Sequence, residues 1–240
     1  MRTQADQALV MIDLSIAIQH TPHREDRRKW AQAIIEQLRN ENPDVPIAVI
    51  ADTQIEGCWP TYRRALEAAN AASHHIVLQD DLGLCRDFIR SVKEVIRVRP
   101  GNLIALYTNA TSVFTARERG ESWIEKSGVS GPAVIWPTGL ISEFLQWQDR
   151  HIDRSFVFDT VRVSMWLIKT SKRAFATVPS LTEHLGCESS TLGLNSPSKV
   201  AAWFIGEDRS ALDIDWSLGV SAPVQDGSNV RPEWWEHFKE

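Results

Sequence analysis

Cysteine is scarce in this 240-residue sequence, and long apolar runs are missing. The three cysteines, Cys58, Cys85 and Cys187, are odd in number and lack metal-site spacing, so we expect a reduced, cytoplasmic protein without a disulfide framework. No stretch approaches the about 18 apolar residues of a transmembrane helix, so we expect no membrane partner. The N-terminal residues MRTQADQ are polar and predict no signal peptide.

An excess of positive charge is also missing. The formal net charge of −5 excludes a uniformly basic nucleic-acid coat, although it leaves room for a local basic cleft. The sequence contains neither GxxxxGK[ST] nor GxGxxG, which argues against a P-loop or a simple dinucleotide site. Without a GxSxG elbow, a Ser-His-Asp hydrolase is not expected either.

The composition that remains is globular, with one unusual feature. Hydrophobic residues make up 43% and charged residues 24% of the chain, and its length suffices for one domain with a substantial core. Tyrosine occurs only twice, whereas tryptophan occurs ten times. Tryptophan is large and carries a donor that needs a partner, so it suits cores, clefts and stacking surfaces.

Short apolar runs alternate with helical patterns over the first two thirds of the chain. The predicted strands are 8–12 (with SIAIQH as a possible extension), 45–51, 75–78, 103–107 and 133–136, and AAWFIG is a weaker candidate. The predicted helices begin at Thr21–Pro22 and end at Pro43, run from Pro60 to about Ala72, and cover 86–98, 140–147 and 161–168. This alternation predicts an α/β fold with a mostly parallel central sheet flanked by helices. We expect one domain over 1–206, with an irregular segment, 207–240, packing on it through its tryptophans.

Acidic residues follow the predicted strands, where ligands bind in parallel sheets. Asp13, Asp52 and the pair Asp80 and Asp81 all occupy such positions. The adjacent carboxylates have no basic residue beside them in the sequence, so one pKa would rise unless a cation were bound. Carboxylate oxygens suit Mg²⁺ and Mn²⁺, which predicts a divalent metal site. The alternative is a solvated turn in which Asp80 caps the next helix.

Several segments in order carry a resemblance over about residues 8–206. They are HTPHR, Asp52, GCWPTYRRAL, HHIVLQDD with LCRDF, FVFDTVRVSMWL and PSLTEHLGCESS. Together they resemble GT-A type nucleotide-sugar glycosyltransferases, in particular small bacterial and bacteriophage enzymes and those that glucosylate hydroxymethylated DNA bases, including the enzyme of base J synthesis. The resemblance implies a single GT-A domain that uses a nucleotide sugar, with a UDP-sugar favoured, and a divalent metal, Mn²⁺ or Mg²⁺.

The resemblance also implies roles for individual residues. The DxD-like motif reads Gln79-Asp80-Asp81 and departs from the strict pattern at its first position. It implies that Asp81 and His184 bind the metal and that Asp80 contacts the ribose or a metal-bound water. It further implies that Asp52 recognises the nucleotide base and that Arg24 lies near the nucleotide. A lone histidine such as His184 is otherwise more often a satisfied surface or core residue.

Two further roles come with alternatives. Arg63 or Arg64 could pair with a diphosphate in bidentate fashion, or both could lie on a charged outer face. Asp159 is the candidate base, facing the acceptor as the resemblance implies, or else a helix N-cap. The competing base is Glu143, whose apolar neighbours place it on a solvated helix face.

We therefore expect a metal-dependent, inverting hexosyltransferase that acts on a hydroxymethylated pyrimidine in bacteriophage-type DNA. Basic clusters at 24–29, 86–99, 150–154 and 169–173 could contact phosphates, and Trp59, Trp136 and Trp147 could stack on an exposed base. For each tryptophan the alternative is core packing. Two alternative functions stay open: the same donor chemistry on a glycan or lipid-linked sugar, and a non-catalytic binding module.

Overall fold

The computed structural model describes residues 12–129, 131–185, 200–221 and 230–239. The strands are β1 (Leu14–His20), β2 (Ile47–Ala51), β3 (His74–Gln79), β4 (Leu82–Leu84), β5 (Leu103–Ala105), β6 (Trp123–Lys126), β7 (Ala133–Pro137), β8 (Ala174–Thr177), β9 (Thr182–His184) and β10 (Val220–Ser221). The helices are α1 (Glu25–Glu41), α2 (Cys58–Glu67), α3 (Phe88–Val98), α4 (Ser112–Glu118), α5 (Thr138–His151) and α6 (Asp159–Lys169), with a 3₁₀ helix at Pro232–His237.

Eight strands form the central sheet, in the order β10-β6-β8-β5-β7-β3-β1-β2. The pairings of β1 with β2 and β3, of β5 with β8 and of β6 with β10 are parallel, whereas β7 runs antiparallel to β3 and β5, and β6 to β8. Strands β4 and β9 form a separate antiparallel pair. The predicted α/β class with a mostly parallel sheet and flanking helices is therefore confirmed.

The two faces of the sheet carry separate cores because successive side chains of a strand point in opposite directions. On one face, Ile16 and Ile18 of β1 pack with the apolar stripe of α3. On the other face, Ala17 packs with tryptophans and with residues of α2 and α6. Burial on both faces explains why the centres of β1 (IAI) and β3 (IVL) are continuously apolar.

The first strand that the structure describes coincides with the predicted extension SIAIQH. Residues 8–11 lie outside the described part, and the strand comprises Leu14–His20, with Leu14 paired to His74. Asp13 therefore precedes β1 and lies at the opposite edge of the sheet from the carboxyl ends, so its predicted placement was wrong.

Helix boundaries also differ for identifiable reasons. Helix α1 begins at Glu25 rather than after Thr21, with Arg24 as its extended N-cap residue, and the amide of Thr21 donates to the side chain of Asp80 at 2.7 Å. Strand β2 begins after Pro46, which has no amide hydrogen to donate. Helix α2 starts two residues before Pro60 and ends at Glu67, short of the predicted Ala72.

Several short elements were not predicted from the sequence pattern, among them α4, β4, β6, β8 and β9. Residues 201–206 form no strand and contribute an isolated bridge between Phe204 and Ser180. Beyond residue 206, Trp216 is 3% exposed and belongs to the main core, and β10 extends the central sheet. Within the described ranges, no helix is long and apolar enough to cross a membrane.

Candidate active site

A cavity of about 160 Å³ opens at the carboxyl edge of β1, β2 and β3. Parallel strands end together at this edge, so the residues that follow them converge there. The cavity is lined by Gln19, His20, Thr21, Arg27, Asp52, Gly57, Cys58, Thr61, Gln79, Asp80, Asp81, Asp159 and His184. Five residues predicted from the sequence are thus brought together: Asp52, Asp80, Asp81, Asp159 and His184.

The pairing of β4 with β9 brings His184 to the acidic pair. Leu82 lies opposite His184 in this two-stranded sheet, and the amide of Leu185 donates to the carbonyl of Asp81 at 2.8 Å. As a result, Nε2 of His184 lies 3.0 Å from Oδ2 of Asp81. Backbone pairing of the residues next to Asp81 and His184 therefore holds these two side chains together.

Arg27 neutralises the acidic pair, contrary to the expectation that no basic residue stands beside it. Its Nη1 lies 2.8 Å from Oδ1 of Asp80 and 2.5 Å from Oδ2 of Asp81. The expectation failed because it considered only neighbours in sequence, whereas α1 supplies the cation from residues well before the pair. All three side chains are buried, so the alternative of a solvated turn is excluded.

Asp80 contacts several residues that form the cavity wall. Besides Arg27, its Oδ2 accepts from the amide of Thr21 at 2.7 Å and lies 2.9 Å from Nδ1 of His20. It does not cap the following helix, because the N-cap of α3 is Asp87. Asp80 thereby ties the end of β3 to the turn that follows β1.

Asp81 is fully buried, yet one of its carboxylate oxygens is available to a ligand. Burial works to raise the pKa of its carboxyl, but the hydrogen bond and charge of His184 and the charge of Arg27 outweigh burial and lower that pKa. Its Oδ1 is buried and has no hydrogen-bond partner in the part of the chain that is described, and the same holds for Nδ1 of His184. A buried carboxylate oxygen without a partner is costly, which points to a ligand that satisfies it.

The chemistry of these donors fits a divalent cation that is shared with a phosphate. Among the described residues, no three His, Cys, Asp or Glu side chains converge as a complete metal site. Asp81 and His184 nonetheless supply an oxygen and a nitrogen donor, and Mg²⁺ or Mn²⁺ commonly completes its shell with phosphate oxygens and water. The cavity lining also carries four carboxylates against one guanidinium, so a diphosphate needs additional positive charge there.

Asp52 holds the loop between β2 and α2. Its Oδ1 accepts from the amide of Glu56 at 2.8 Å and its Oδ2 from the amide of Gly57 at 3.1 Å. Gly57 has a φ of 101°, a conformation that side chains other than glycine's rarely adopt. Asp52 therefore shapes one wall of the cavity, and its predicted contact with a nucleotide base stays a prediction.

Asp159 combines burial with a position at the cavity. It is the first residue of α6, whose N-cap is Phe158, and it is 6% exposed. Burial raises the pKa of its carboxyl to about 6, and the amide of Thr160, the side chain of Gln19 and the charge of Arg162 only partly offset that rise. A carboxyl group with a pKa near neutrality is suited to accept a proton during a reaction.

Three of the candidate side chains do not line the cavity. Arg63 is on the outside of α2, where it pairs with Glu67 and Asp149. Arg24 pairs with Asp26 at 2.5 Å, and this hydrogen bond raises the pKa of Arg24. Neither arginine lines the cavity, so their contacts with a nucleotide stay predictions.

Glu143 is the third. It is on α5 and lies 3.3 Å from Nζ of Lys172, away from the cavity, on the solvated face that the sequence predicted. Asp159 therefore has no competitor from this position.

Sequence reasoning missed Arg27, although a signal was present. Arg27 was included in the basic cluster 24–29, which was considered only for contacts with nucleic-acid phosphates. Its spacing to Ala31, Ile34 and Leu38, however, places it on the buried stripe of α1. Gln19 and Cys58 were missed as well, because single polar residues next to an apolar run carry no distinctive pattern.

The sequence matches no known protein family and no curated protein. Among solved structures, Staphylococcus aureus TarS 1–349 in complex with UDP-GlcNAc is similar with a TM-score of 0.52 and 10% identity, covering 75% of this chain and 60% of TarS 1–349. A mannosyltransferase from Pyrobaculum calidifontis in complex with GDP-Man and Mn²⁺ gives a TM-score of 0.45 and 11% identity, covering 70% of this chain and 56% of that chain. This chain thus spans less than two thirds of either. The likeness to TarS shows a GT-A-like fold, as the resemblance implied.

Proposed function

We propose that this protein is a glycosyltransferase that moves a sugar from a nucleotide sugar, with a UDP-sugar as the favoured donor, to a hydroxyl acceptor. Because one fold hosts many functions, the site and not the fold carries this proposal. The observation that carries it is the convergence, in one cavity, of a buried acidic pair, a histidine and a separate buried carboxyl, Asp159. The acidic pair and the histidine suit a metal ion and the donor diphosphate, and Asp159 suits the acceptor hydroxyl.

The donor side of the proposal rests on Asp81 and His184, which would hold Mn²⁺ or Mg²⁺. Such an ion supplies Lewis acidity that neutralises a departing diphosphate. Asp80 keeps the wall in place through Thr21 and His20, and Asp52 keeps the loop before α2 in place where a base or ribose would lie. These fixed contacts orient a bound nucleotide.

Asp159 is proposed as the base of an inverting transfer. A carboxylate oxygen of Asp159 takes the proton of the acceptor hydroxyl while the acceptor oxygen bonds to the sugar's anomeric carbon, and the bond from that carbon to the diphosphate oxygen breaks. With a pKa raised to about 6, Asp159 is largely ionised at neutral pH and still basic enough to accept that proton.

A hydroxymethylated pyrimidine in DNA is the acceptor proposed from the sequence resemblance. One observation favours the alternative, a glycan or lipid-linked sugar. Trp59 is 6% exposed and Trp136 is 0% exposed, and both belong to the apolar core between the sheet and α2, α5 and α6. Two of the three tryptophans that could stack on an exposed base are therefore core residues.

A transfer assay with labelled UDP-glucose and Mn²⁺ separates these acceptors. The reaction is run with hydroxymethylated DNA, with unmodified DNA and with a panel of glycans, and free UDP is measured in parallel. Label on hydroxymethylated DNA alone supports the DNA acceptor, and label on a glycan supports the alternative. Asp81→Ala should lose metal-dependent release of UDP, whereas Glu143→Gln, on the outer face of α5, should retain it. No transfer and no release of the nucleoside diphosphate from any of several nucleotide sugars would contradict the proposed function and favour a non-catalytic binding module.

A further inference from the structure

Arg27 lies where a bridging cation would be expected. A single nitrogen, Nη1, contacts carboxylate oxygens of both Asp80 and Asp81, at 2.8 and 2.5 Å. The contact with Asp81 is made to Oδ2, the same oxygen that lies 3.0 Å from His184. A cation bound by Asp81 and His184 therefore has to share the space that Arg27 now fills.

The charge balance makes simultaneous occupancy unfavourable. Arg27 is 6% exposed and its guanidinium is held among buried groups, where like charges a few ångströms apart repel strongly. Nε of Arg27 is also buried and has no hydrogen-bond partner among the residues that the structure describes. The side chain thus has an unused donor that an incoming anion could satisfy.

From this geometry we infer that Arg27 and a divalent cation are alternative occupants of the space between Asp80 and Asp81. The cation enters in exchange for the guanidinium, and the displaced guanidinium then pairs with the diphosphate of the nucleotide. Arg27 is a positioning residue in this scheme, which keeps the acidic pair neutralised until metal and nucleotide arrive together. The inference rests on the metal part of the proposed function.

The exchange predicts opposite effects on two affinities. Replacing Arg27 by an uncharged residue should strengthen Mn²⁺ binding in the absence of nucleotide, by about tenfold or more, because the competitor is gone. UDP should strengthen Mn²⁺ binding to the wild-type protein, since it captures the displaced guanidinium. The same enhancement should be smaller in Arg27→Gln.

The test is a Mn²⁺ titration monitored by electron paramagnetic resonance, with and without UDP, on the wild-type protein, Arg27→Gln and Arg27→Lys. Arg28→Gln is the matched control, because Arg28 is the exposed neighbour on the same helix and should leave both affinities unchanged. Arg27→Lys keeps the charge and should fall between wild type and Arg27→Gln. Mn²⁺ should also raise the unfolding temperature of Arg27→Gln more than that of the wild type.

The possible results separate the exchange from the proposed function. Equal Mn²⁺ affinity in the wild type and Arg27→Gln, or a UDP enhancement that is equally large in both, overturns the exchange but leaves the proposed transfer intact. Failure of Mn²⁺ to bind any variant overturns both the exchange and the metal part of the proposal. If Arg27→Gln does not fold even with Mn²⁺ present, the Arg27→Lys comparison decides, and wild-type affinity in that variant overturns the exchange.

Discussion

Arg162 lies one helical turn after Asp159 on α6, and its guanidinium holds the chain segment that leads into Asp159. Its Nε donates to the carbonyl of Phe156 at 2.9 Å, its Nη2 to the carbonyl of Asp153 at 2.7 Å, and its Nη1 to Oε1 of Gln148 at 2.8 Å. Arg162 is 1% exposed, so these hydrogen bonds form away from water. The position of the candidate base therefore depends on a buried arginine outside the cavity.

Replacing Arg162 by methionine should lower the free energy of unfolding by about 3 kcal/mol, because two backbone carbonyls and an amide oxygen lose their buried donor. Urea denaturation at neutral pH measures the change. Arg154→Met is the matched control, since Arg154 is exposed, and it should stay within about 0.5 kcal/mol of wild type. Equal stability of the two variants would show that the network of Arg162 contributes nothing.

Asp159→Asn should abolish most of the transfer activity while UDP-sugar binding persists. Removal of a general base typically costs about 10² to 10⁴ in rate. In the wild type, kcat/KM should rise with pH through about 6 and then level off, because the carboxyl must lose its proton before it can act. A pH-rate profile and a binding titration measure both effects. Full transfer by the variant would assign the base to another residue.

Asp159 should also make the protein less stable at high pH. The pKa of its carboxyl is raised from 3.8 to about 6 in the folded chain, so folding favours the protonated form. The stabilisation from this group is complete below the unfolded pKa and is lost as the pH rises through about 6. A shift of about two pKa units corresponds to about 3 kcal/mol as an upper limit.

Asp159→Asn should remove this dependence and be more stable than wild type at pH 8, with a smaller difference at acidic pH. Urea denaturation of both proteins across this pH range is the measurement. If the wild type does not lose stability relative to the variant between acidic pH and pH 8, Asp159 is ionised without cost in the folded state.

Trp136 illustrates how the abundant tryptophan is used. Its Nε1 donates to Oη of Tyr62 at 3.0 Å, and its ring stacks on Trp166 with 6.0 Å between centroids. Trp136→Phe should lower the free energy of unfolding by about 2 kcal/mol through the lost hydrogen bond and contact area. Trp235→Phe, in the half-buried 3₁₀ helix, should change it by less. Thermal unfolding of the two variants checks this. A larger loss of stability in Trp235→Phe than in Trp136→Phe would contradict the structural importance of Trp136.

Much of the fold was visible in the sequence because the central strands and their helices have strong periodic patterns. Strand β3 and helix α3 were placed within two residues of their observed bounds. The short strands β4 and β9 were missed, because three-residue strands have too few positions to show alternation. Their pairing, which delivers His184 to Asp81, is a long-range contact that no local pattern encodes.

The acidic residues of the site were predicted better than its cations. Asp52, Asp80 and Asp81 follow strands that were recognised, so their convergence followed from the layout of the sheet, whereas the place of Asp159 at the cavity was implied by the family resemblance. Arg27 was missed because basic residues on helices are usually solvated. Its burial depends on Asp80, which lies 53 positions further along the chain. Arg63 was proposed for the cavity because its place on α2 did not reveal which face of the helix it occupies.

The small sheet formed by β4 and β9 sets an order in which the site is completed as the chain is synthesised. Arg27, Asp80 and Asp81 are all made early, so their ion pairs can form while later residues are still missing. Asp159 and then His184 follow much later along the chain. His184 is thus the last of these side chains to be made, and it can reach Asp81 only once β9 pairs with β4.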